Sequence, residues 1–328
     1  MKKVLSLILA LAMVFALVAC GEKQPASDGD ASGDGDKPAR GNVIMTFGTA
    51  DTGGSMYPAG AAVSQVWTNN VEGVKCNTQT STGSFQNCQD VSTGEVDVAV
   101  ATSDVVLNAY NGTGKFADIG KLDNLRVIGA VYTSVLSGVA LKSSGLTYIH
   151  ELLGKRVAVG PAASATENAT LAAFGVMGID SSNTSLENLG LGDGILDAAF
   201  GFAGLPIGGQ LNLAATKEIQ VLDMTQEEID KVLAGNAAYI QTKIPAGTYT
   251  GQDNDANTFG VKCLIIVTAD MDADLVYDLC KAMNEHTEEM AAGNALLKDM
   301  TDPSFLCTQM PIPLHDGAQK YYSEQGLI

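Results

Sequence analysis

Histidine, arginine and tryptophan are nearly missing from this chain: three, three and one among 328 residues. The histidines are His150, His286 and His315, and none sits at a spacing that holds zinc. His315 is followed by Asp316, but no serine or cysteine occupies a nucleophile elbow that could complete a hydrolytic triad. His286, within a polar helical stretch, reads as solvent-facing. Asp253, Asp255 and Asn257 alternate as cation ligands do, yet lack the glycine and the distant glutamate of a calcium loop. With no catalytic constellation, the chain reads as a protein other than an enzyme, with no metal and no cofactor. Positive charge is also short: 19 Lys and Arg face 37 Asp and Glu, for a net charge of −18. Such a balance excludes electrostatic binding of nucleic acid or of anionic lipid head groups. An exposed repeat, which an adhesive or purely structural role would need, does not occur.

Cysteine is sparse and awkwardly numbered. Six are present. If Cys20 is claimed by a lipid, Cys76, Cys88, Cys263, Cys280 and Cys307 remain, an odd set that cannot all pair. None forms a CxxC pair, so buried free thiols are the preferred reading over a single structural disulfide.

Long apolar runs are confined to the N-terminus. Lys2 and Lys3 precede the run Val4 to Val18, which is too short for a membrane span of the mature protein and reads as a secretory signal, residues 1–19. Leu17-Val18-Ala19-Cys20 resembles a bacterial lipobox, which implies cleavage before Cys20 and a lipid on its thiol. The alternative is an ordinary signal peptide cleaved near Ala19. Residues 20–41 hold Asp, Gly, Ser, Ala and Pro with almost nothing apolar. They cannot bury enough surface to offset ordering entropy and read as a tether. The whole sequence is 46% hydrophobic and rich in glycine, 36 residues, as suits a globular protein of many turns.

The stretch Val43 to Gly60 organises the rest of the chain. Val43 to Phe47 reads as a buried strand, Gly48 to Gly54 as a tight turn, and Pro58 to Trp67 as a helix with proline in its first turn. The outward N–H groups of such a helix attract anions. Val74 to Gln79 is a second strand, Ser84 to Ser92 a helix, and Val96 to Ala101 a strand whose following helix is capped by Ser103-Asp104. Leu125 to Tyr132 and Val135 to Lys142 are apolar and strand-like, compatible with one long crossing. Arg156 to Gly160 is a strand, followed by a helix to Met177. Ile195 to Phe202 carries a helix end and a strand. Ile219 to Asp223 is a strand, with a helix after Thr225. Lys262 to Thr268 is a strand and Asp272 to Met290 a long helix. This alternation predicts an α/β fold of two lobes, each a mostly parallel sheet flanked by helices. Open sheets of this kind bind ligands at the carboxyl ends of strands. Four polar turns fall there: Thr49 to Tyr57, Ser81 to Ser84, Thr102 to Asp104, and Ala163 to Glu167. Facing one another across a cleft, they would bind a small polar or anionic molecule. Arg156, at the start of its strand, is placed at the opposite end.

Several of these segments also carry a resemblance. Gly48-Thr49-Ala50-Asp51-Thr52-Gly53-Gly54-Ser55-Met56-Tyr57-Pro58 resembles the opening motif of the TAXI family of TRAP transporter solute receptors. Ser81-Thr82-Gly83-Ser84-Phe85-Gln86-Asn87 and Gly94-Glu95-Val96-Asp97 are similar to that family's second segment. Leu153 to Gly160, Asp193 to Phe200, Gly251 to Asp255 and Ile312 to Ala318 continue the match in family order. The resemblance implies a type II periplasmic-binding fold with a hinge crossed twice, near Tyr132-Thr133 and Gly260-Val261. Lobe 1 would comprise residues 42–132 and 262–328, and lobe 2 residues 133–261. It also implies a lipid-anchored extracytoplasmic receptor that captures a small carboxylate, glutamate or a related compound, for a membrane permease. A ligand-sensing lipoprotein of the same fold, acting with a signalling partner, is the alternative. The implied ligand site comprises Thr52, Gly53, Gly54, Ser55, Tyr57, Gly83, Ser84, Thr102, Ser103, Ala163, Ser164, Thr166 and Glu167, with Phe202 as a wall. The sequence departs from the family pattern at Thr102, where a glutamine is usual, and at Ala163 and Ala165, where glycines are usual.

Overall fold

The computed structural model describes residues 41–52, 54–162, 164–189 and 196–328. The expected signal, Cys20 and most of the tether lie outside these residues, as do Gly53, Ala163 and the Asp193-Gly194-Ile195 part of one motif.

Three βα units open the described chain. They are β1 (Val43–Gly48) and α1 (Met56–Asn70), β2 (Val74–Gln79) and α2 (Ser84–Thr93), and β3 (Val98–Thr102) and α3 (Ser103–Asn111). A long strand, β4 (Leu125–Leu141), leads to β5 (Arg156–Ala158), α4 (Ala165–Val176), β6 (Ser185–Glu187), β7 (Ala198–Ala203), α5 (Gly208–Ala214), β8 (Ile219–Val221), α6 (Gln226–Gly235) and β9 (Tyr239–Ile244). The second long strand, β10 (Ala256–Thr268), returns to α7 (Ala273–Glu285), α8 (Thr287–Gly293), α9 (Pro303–Cys307) and α10 (Asp316–Glu324).

The strands form one sheet in the order β2-β1-β3-β10-β4-β7-β5-β6, with β8 against β4 and β9 against β10. Parallel triplets stand at both ends, β2-β1-β3 and β7-β5-β6. Between them β4 and β10 run antiparallel, in register from Leu125–Thr268 to Val135–Gly260. The two apolar halves of β4 are one 17-residue strand. Extra residues at Val131 and Ile128 shift the register twice, as bulges that increase twist do. Beyond Val135 the pair parts: β4 continues against β7 and β8, and β10 against β9.

Burial follows that division. Two hydrophobic clusters draw their buried residues from 45–132 and 263–322, on the two faces of the first triplet. Two others draw theirs from 135–259. Trp67 is the largest side chain of the first group; it stacks on Phe47 at 5.5 Å, and its indole N–H donates to the Leu279 carbonyl at 3.0 Å. Each lobe therefore has its own core.

Several boundaries differ from expectation: β10 begins at Ala256, six residues before the expected Lys262, β8 ends at Val221, and three further differences have a local cause. Thr102, rather than Ser103-Asp104, is the cap of α3, so β3 runs one residue further and both polar residues enter the helix. The strand expected at Arg156 to Gly160 ends at Ala158. The expected single helix from Asp272 to Met290 breaks at His286. There the backbone leaves helical geometry, and His286 Nδ1 pairs with Glu289 Oε2 at 3.0 Å across the first turn of α8. His286 is half-buried rather than fully solvent-facing.

Cys76, Cys88, Cys263, Cys280 and Cys307 are buried and free. Burial pushes the Cys76 and Cys263 thiols up to about 11, and those of Cys88 and Cys280 higher still. Because the folded thiols hold protons that an unfolded chain loses above about pH 9, they lend stability that falls as pH climbs from there. Lys262, held down to about 8 by burial, works the other way between about pH 8 and its ordinary range, but it is one group against four. Alkylation with peptide mapping is expected to leave all five thiols untouched in the native protein and to modify all five in urea. The denaturant midpoint should fall between about pH 8.5 and 10.5. Rapid native labelling, or a midpoint that rises over that range, would contradict this packing.

Candidate functional site

The carboxyl ends of β1, β2 and β3 are tied together by side-chain hydrogen bonds. Thr49 is buried, and both its N–H and its hydroxyl donate to the Gln79 carbonyl, at 2.9 and 2.7 Å. The Thr49 carbonyl in turn accepts from the Ser81 hydroxyl at 2.9 Å and from Asn87 Nδ2 at 2.6 Å. Asn87 Nδ2 also donates to the Val100 carbonyl at 2.6 Å, which brings β3 into the same network. Ser84 Oγ accepts from the Thr102 N–H at 3.0 Å and lies 3.3 Å from its hydroxyl. Helix α1 presses close on this cluster through Gly60, where a Cβ would stand 2.5 Å from Thr49 Cγ2. Three of the four expected turns thus meet at one end of the sheet.

Within the first turn, Thr52 and Gly54 are exposed, and Tyr57 is half-buried. Ser55 precedes α1 with its hydroxyl making no cap bond. Two N–H groups that could face an anion are already engaged. That of Gly54 donates to the Asp51 carbonyl at 3.0 Å, and that of Gly83 to Ser81 Oγ at 2.9 Å. Gly83 enters α2 at φ 109°, a conformation that favours glycine.

In the second lobe, Ser164 caps α4, its hydroxyl accepting from the Glu167 N–H at 3.1 Å. Gly160, at φ 104°, lets the β5 turn lie against this helix end; a Cβ there would stand 2.7 Å from Thr166 Cβ. Glu167 Oε1 accepts from Asn188 Nδ2 at 2.5 Å. Phe202 is half-buried on β7, paired with Leu136 at the level where β4 leaves β10. Among the described residues, no hydrogen bond joins Ser164 or Thr166 to the first-lobe turns.

Contact between the lobes comes instead through α3. Ser103 is buried and donates its hydroxyl to the Ala238 carbonyl, 135 residues away, at 3.1 Å. Next to it Asp104 leaves Oδ1 buried without a partner. Burial raises its carboxyl above the usual range, against bonds from the Thr102 hydroxyl and the N–H groups of Val105 and Asp104 itself. Sequence reasoning took Asp104 for a helix cap, since an acid in a first helical turn looks the same whether it faces water or a lobe junction. Asn87, which joins β1 and β3, carried no signal of its own.

Around the crossing strands lies a cavity of about 650 Å³. Its floor is Thr133, Val135 and Lys262, and its walls come from residues 295–309 on one side and from Leu205, Pro206 and β9 on the other. Lys262 Nζ donates to the carbonyls of Phe305 and Thr308, at 2.8 and 2.9 Å, and stands 4.4 Å from the Phe305 ring centre. Thr133 donates its N–H and hydroxyl to Asp299 Oδ2, at 3.2 and 2.8 Å. None of the four strand-end turns lines this cavity.

The remaining cation candidates are occupied elsewhere. Arg156 is exposed at the start of β5, with Nε 3.6 Å from Asp197 Oδ2. Arg126 Nη1 donates to the carbonyls of Asp123 and Leu125. Asp255, one of three alternating acids and amides, accepts from Lys243 Nζ at 2.6 Å and the Ala246 N–H at 2.8 Å, closing a turn rather than facing a cation.

This architecture has known counterparts. A TctC solute-binding protein from Polaromonas superposes with a TM-score of 0.52 at 13% identity, covering 87% of this chain and 98% of that one. The alkanesulfonate-binding protein SsuA from Xanthomonas axonopodis pv. citri, solved with MOPS bound, gives 0.48 at 12% identity over 87% and 85%. At 13% identity the likeness to the Polaromonas protein is one of fold alone. Residues 47–326, nearly the whole described region, match a single family description. The chain belongs to the NMT1-like family.

Proposed function

We propose that this protein is an extracytoplasmic solute-binding receptor of the TAXI type. It captures a small carboxylate, glutamate or a related compound, and passes it to a TRAP-type membrane permease. The observation that carries the reading is the division of the core: two separately buried lobes share one sheet only through β4 and β10. Lobe 1 is residues 42–132 and 262–328, lobe 2 is 133–261, and the hinge lies where Val135 and Gly260 end their pairing. Strand ends carrying Thr49, Ser81, Ser84, Thr102 and Ser103 gather beside that hinge, a place where open α/β sheets hold small ligands. The scarcity of arginine fits a carboxylate held by hydroxyls and helix-terminal N–H groups. The protein acts by binding and closure and performs no covalent chemistry.

The N-terminus supplies localisation in this reading. Cys20 carries the lipid, and residues 20–41 hold the receptor near the membrane. Cys20→Ser is expected to release the protein into the soluble fraction after a high-salt wash, whereas retention would exclude the anchor.

The binding site is tested by identifying the solute that co-purifies with the full chain, by native mass spectrometry, and titrating it into three variants. Ser55→Ala removes a hydroxyl that makes no cap bond to α1 and should weaken binding up to about tenfold, the size of one neutral hydrogen bond. Ser164→Ala should also cost about 1 kcal/mol of stability, because that hydroxyl caps α4. Arg156→Ala should leave affinity unchanged. Loss of binding in Arg156→Ala with normal binding in both serine variants would place the anion on a guanidinium and overturn the site.

A further inference from the structure

We propose that the cavity around the β4–β10 crossing is a second binding site, separate from the strand-end turns, and that it takes an amphipathic monoanion: an apolar body with one anionic head, of which a fatty acid is the simplest form. The site stands on its own lining and does not depend on the receptor reading above.

At about 650 Å³ the cavity has the size of a small-molecule site. One charged side chain lies at its floor. Lys262 is 4% exposed, and the fold surrounds its ammonium with neutral groups, the carbonyls of Phe305 and Thr308 and the Phe305 ring. Those carbonyls use two of the three N–H groups that an ammonium carries. Among the described residues no ion pair includes Lys262. A buried cation without a counter-charge is costly, because neutral acceptors repay only part of its desolvation. Burial accordingly holds Lys262 down to about 8.

The two acids of the lining do not supply that counter-charge. Asp299 and Asp302 are exposed, and both serve the fold. Asp299 Oδ2 accepts from Thr133, and Asp302 Oδ1 accepts from the N–H and the hydroxyl of Ser304, at 2.9 and 2.8 Å. Gln309, next to Thr308 on the same wall, sits at φ 54°, the one residue other than glycine at positive φ among the described residues. Strain of that kind is retained at ligand-binding positions.

The rest of the lining selects the body of the ligand. Leu205 and Ile240 from lobe 2 and Leu296 and Phe305 from lobe 1 are half-buried around the same space, above Val135. An inorganic anion would leave these side chains wet, and a dianion would set its second charge against them. A single anionic head on Lys262 with a hydrocarbon body against these walls meets both demands.

Octanoate is the probe, with the full chain freed of solute. Calorimetry is expected to show saturable binding, and octylammonium, the same body with the opposite charge, should bind at least about tenfold more weakly, the size of a charged hydrogen bond. Octanoate affinity should fall as pH climbs through about 8, because Lys262 then gives up its proton. The other ionisable groups near it are Asp299, Asp302, Lys243, Lys298 and the Cys307 thiol, which burial pushes up. Lys262→Met, which keeps the length and removes the charge, should weaken octanoate at least about tenfold and flatten that pH dependence. Position is read separately: a diazirine analogue of octanoate should label residues 295–309 or 239–248 on irradiation. Absent octanoate binding, equal binding of octylammonium, or full affinity in a folded Lys262→Met would overturn the site. Labelling at residues 49–57 or 81–84 would also overturn it, by placing the acid at the strand-end turns, while the receptor reading stood. The wild-type measurements decide the question even should Lys262→Met not fold.

Discussion

Everything in this protein depends on the antiparallel ladder between β4 and β10. Its hydrogen bonds tie two cores that share almost no buried side chains, and it is the one place where the chain passes from lobe to lobe. The ladder is stiff where paired and stops at Val135–Gly260. There the absence of a side chain matters: a Cβ on Gly260 would run into the Ser134 carbonyl, so the strands approach as closely as backbone allows and then diverge. Beyond that point the Leu222 N–H takes the Gly138 carbonyl, and the Met224 N–H takes that of Asn257, so the tail of β8 fills the opening gap. A joint of this kind, two strands wide, resists twisting within each lobe while allowing one lobe to rotate on the other.

The ladder also decides where polar groups collect. β3 and β9 lie end to end along one side of β10, with Thr102 paired to Cys263 and Tyr239 to Val261. The start of α3 is thereby driven against lobe 2, which explains why Ser103 is buried and donates to the Ala238 carbonyl. On the other side of the crossing, Lys262 and Thr133 anchor residues 299–308 through a buried ammonium and a shared carboxylate. The two sides are dissimilar in chemistry. One is a cluster of hydroxyls around an orphaned acid, the other a cation held by two carbonyls. Burial lowers the Lys262 pKa to about 8, and its Nζ donates two hydrogen bonds within the fold, whereas Asp104 Oδ1 has no partner.

Much of the fold was legible in the sequence because its strands are short, apolar and separated by glycine and hydroxyl residues. Val74 to Gln79 was bounded to the residue, and the long crossing at Leu125 was visible as an unbroken apolar run. The strand β9 was not read, because Tyr239 to Ile244 alternates weakly and pairs at an edge. The break at His286 was hidden for a different reason: the helical pattern continues through it, and only the local pairing with Glu289 reveals a new helix start. At the site, the recurrence of Ser and Thr after strands correctly brought the first three turns together. It could not say which hydroxyls face a ligand and which serve the fold. Ser81, Ser84 and Ser164 are spent on neighbouring backbone, and Asp104 was concealed in a capping pattern. That distinction depends on burial between lobes, which no local window contains.

The central claim is that these lobes move about the β4–β10 joint to enclose a solute. Small-angle scattering of the full chain, first stripped of solute by mild unfolding and refolding and then saturated with the compound that co-purifies, measures this directly. The account predicts a smaller radius of gyration and a shorter maximum dimension in the saturated protein, reversible on removing the solute. An identical scattering profile with and without saturating solute would contradict it.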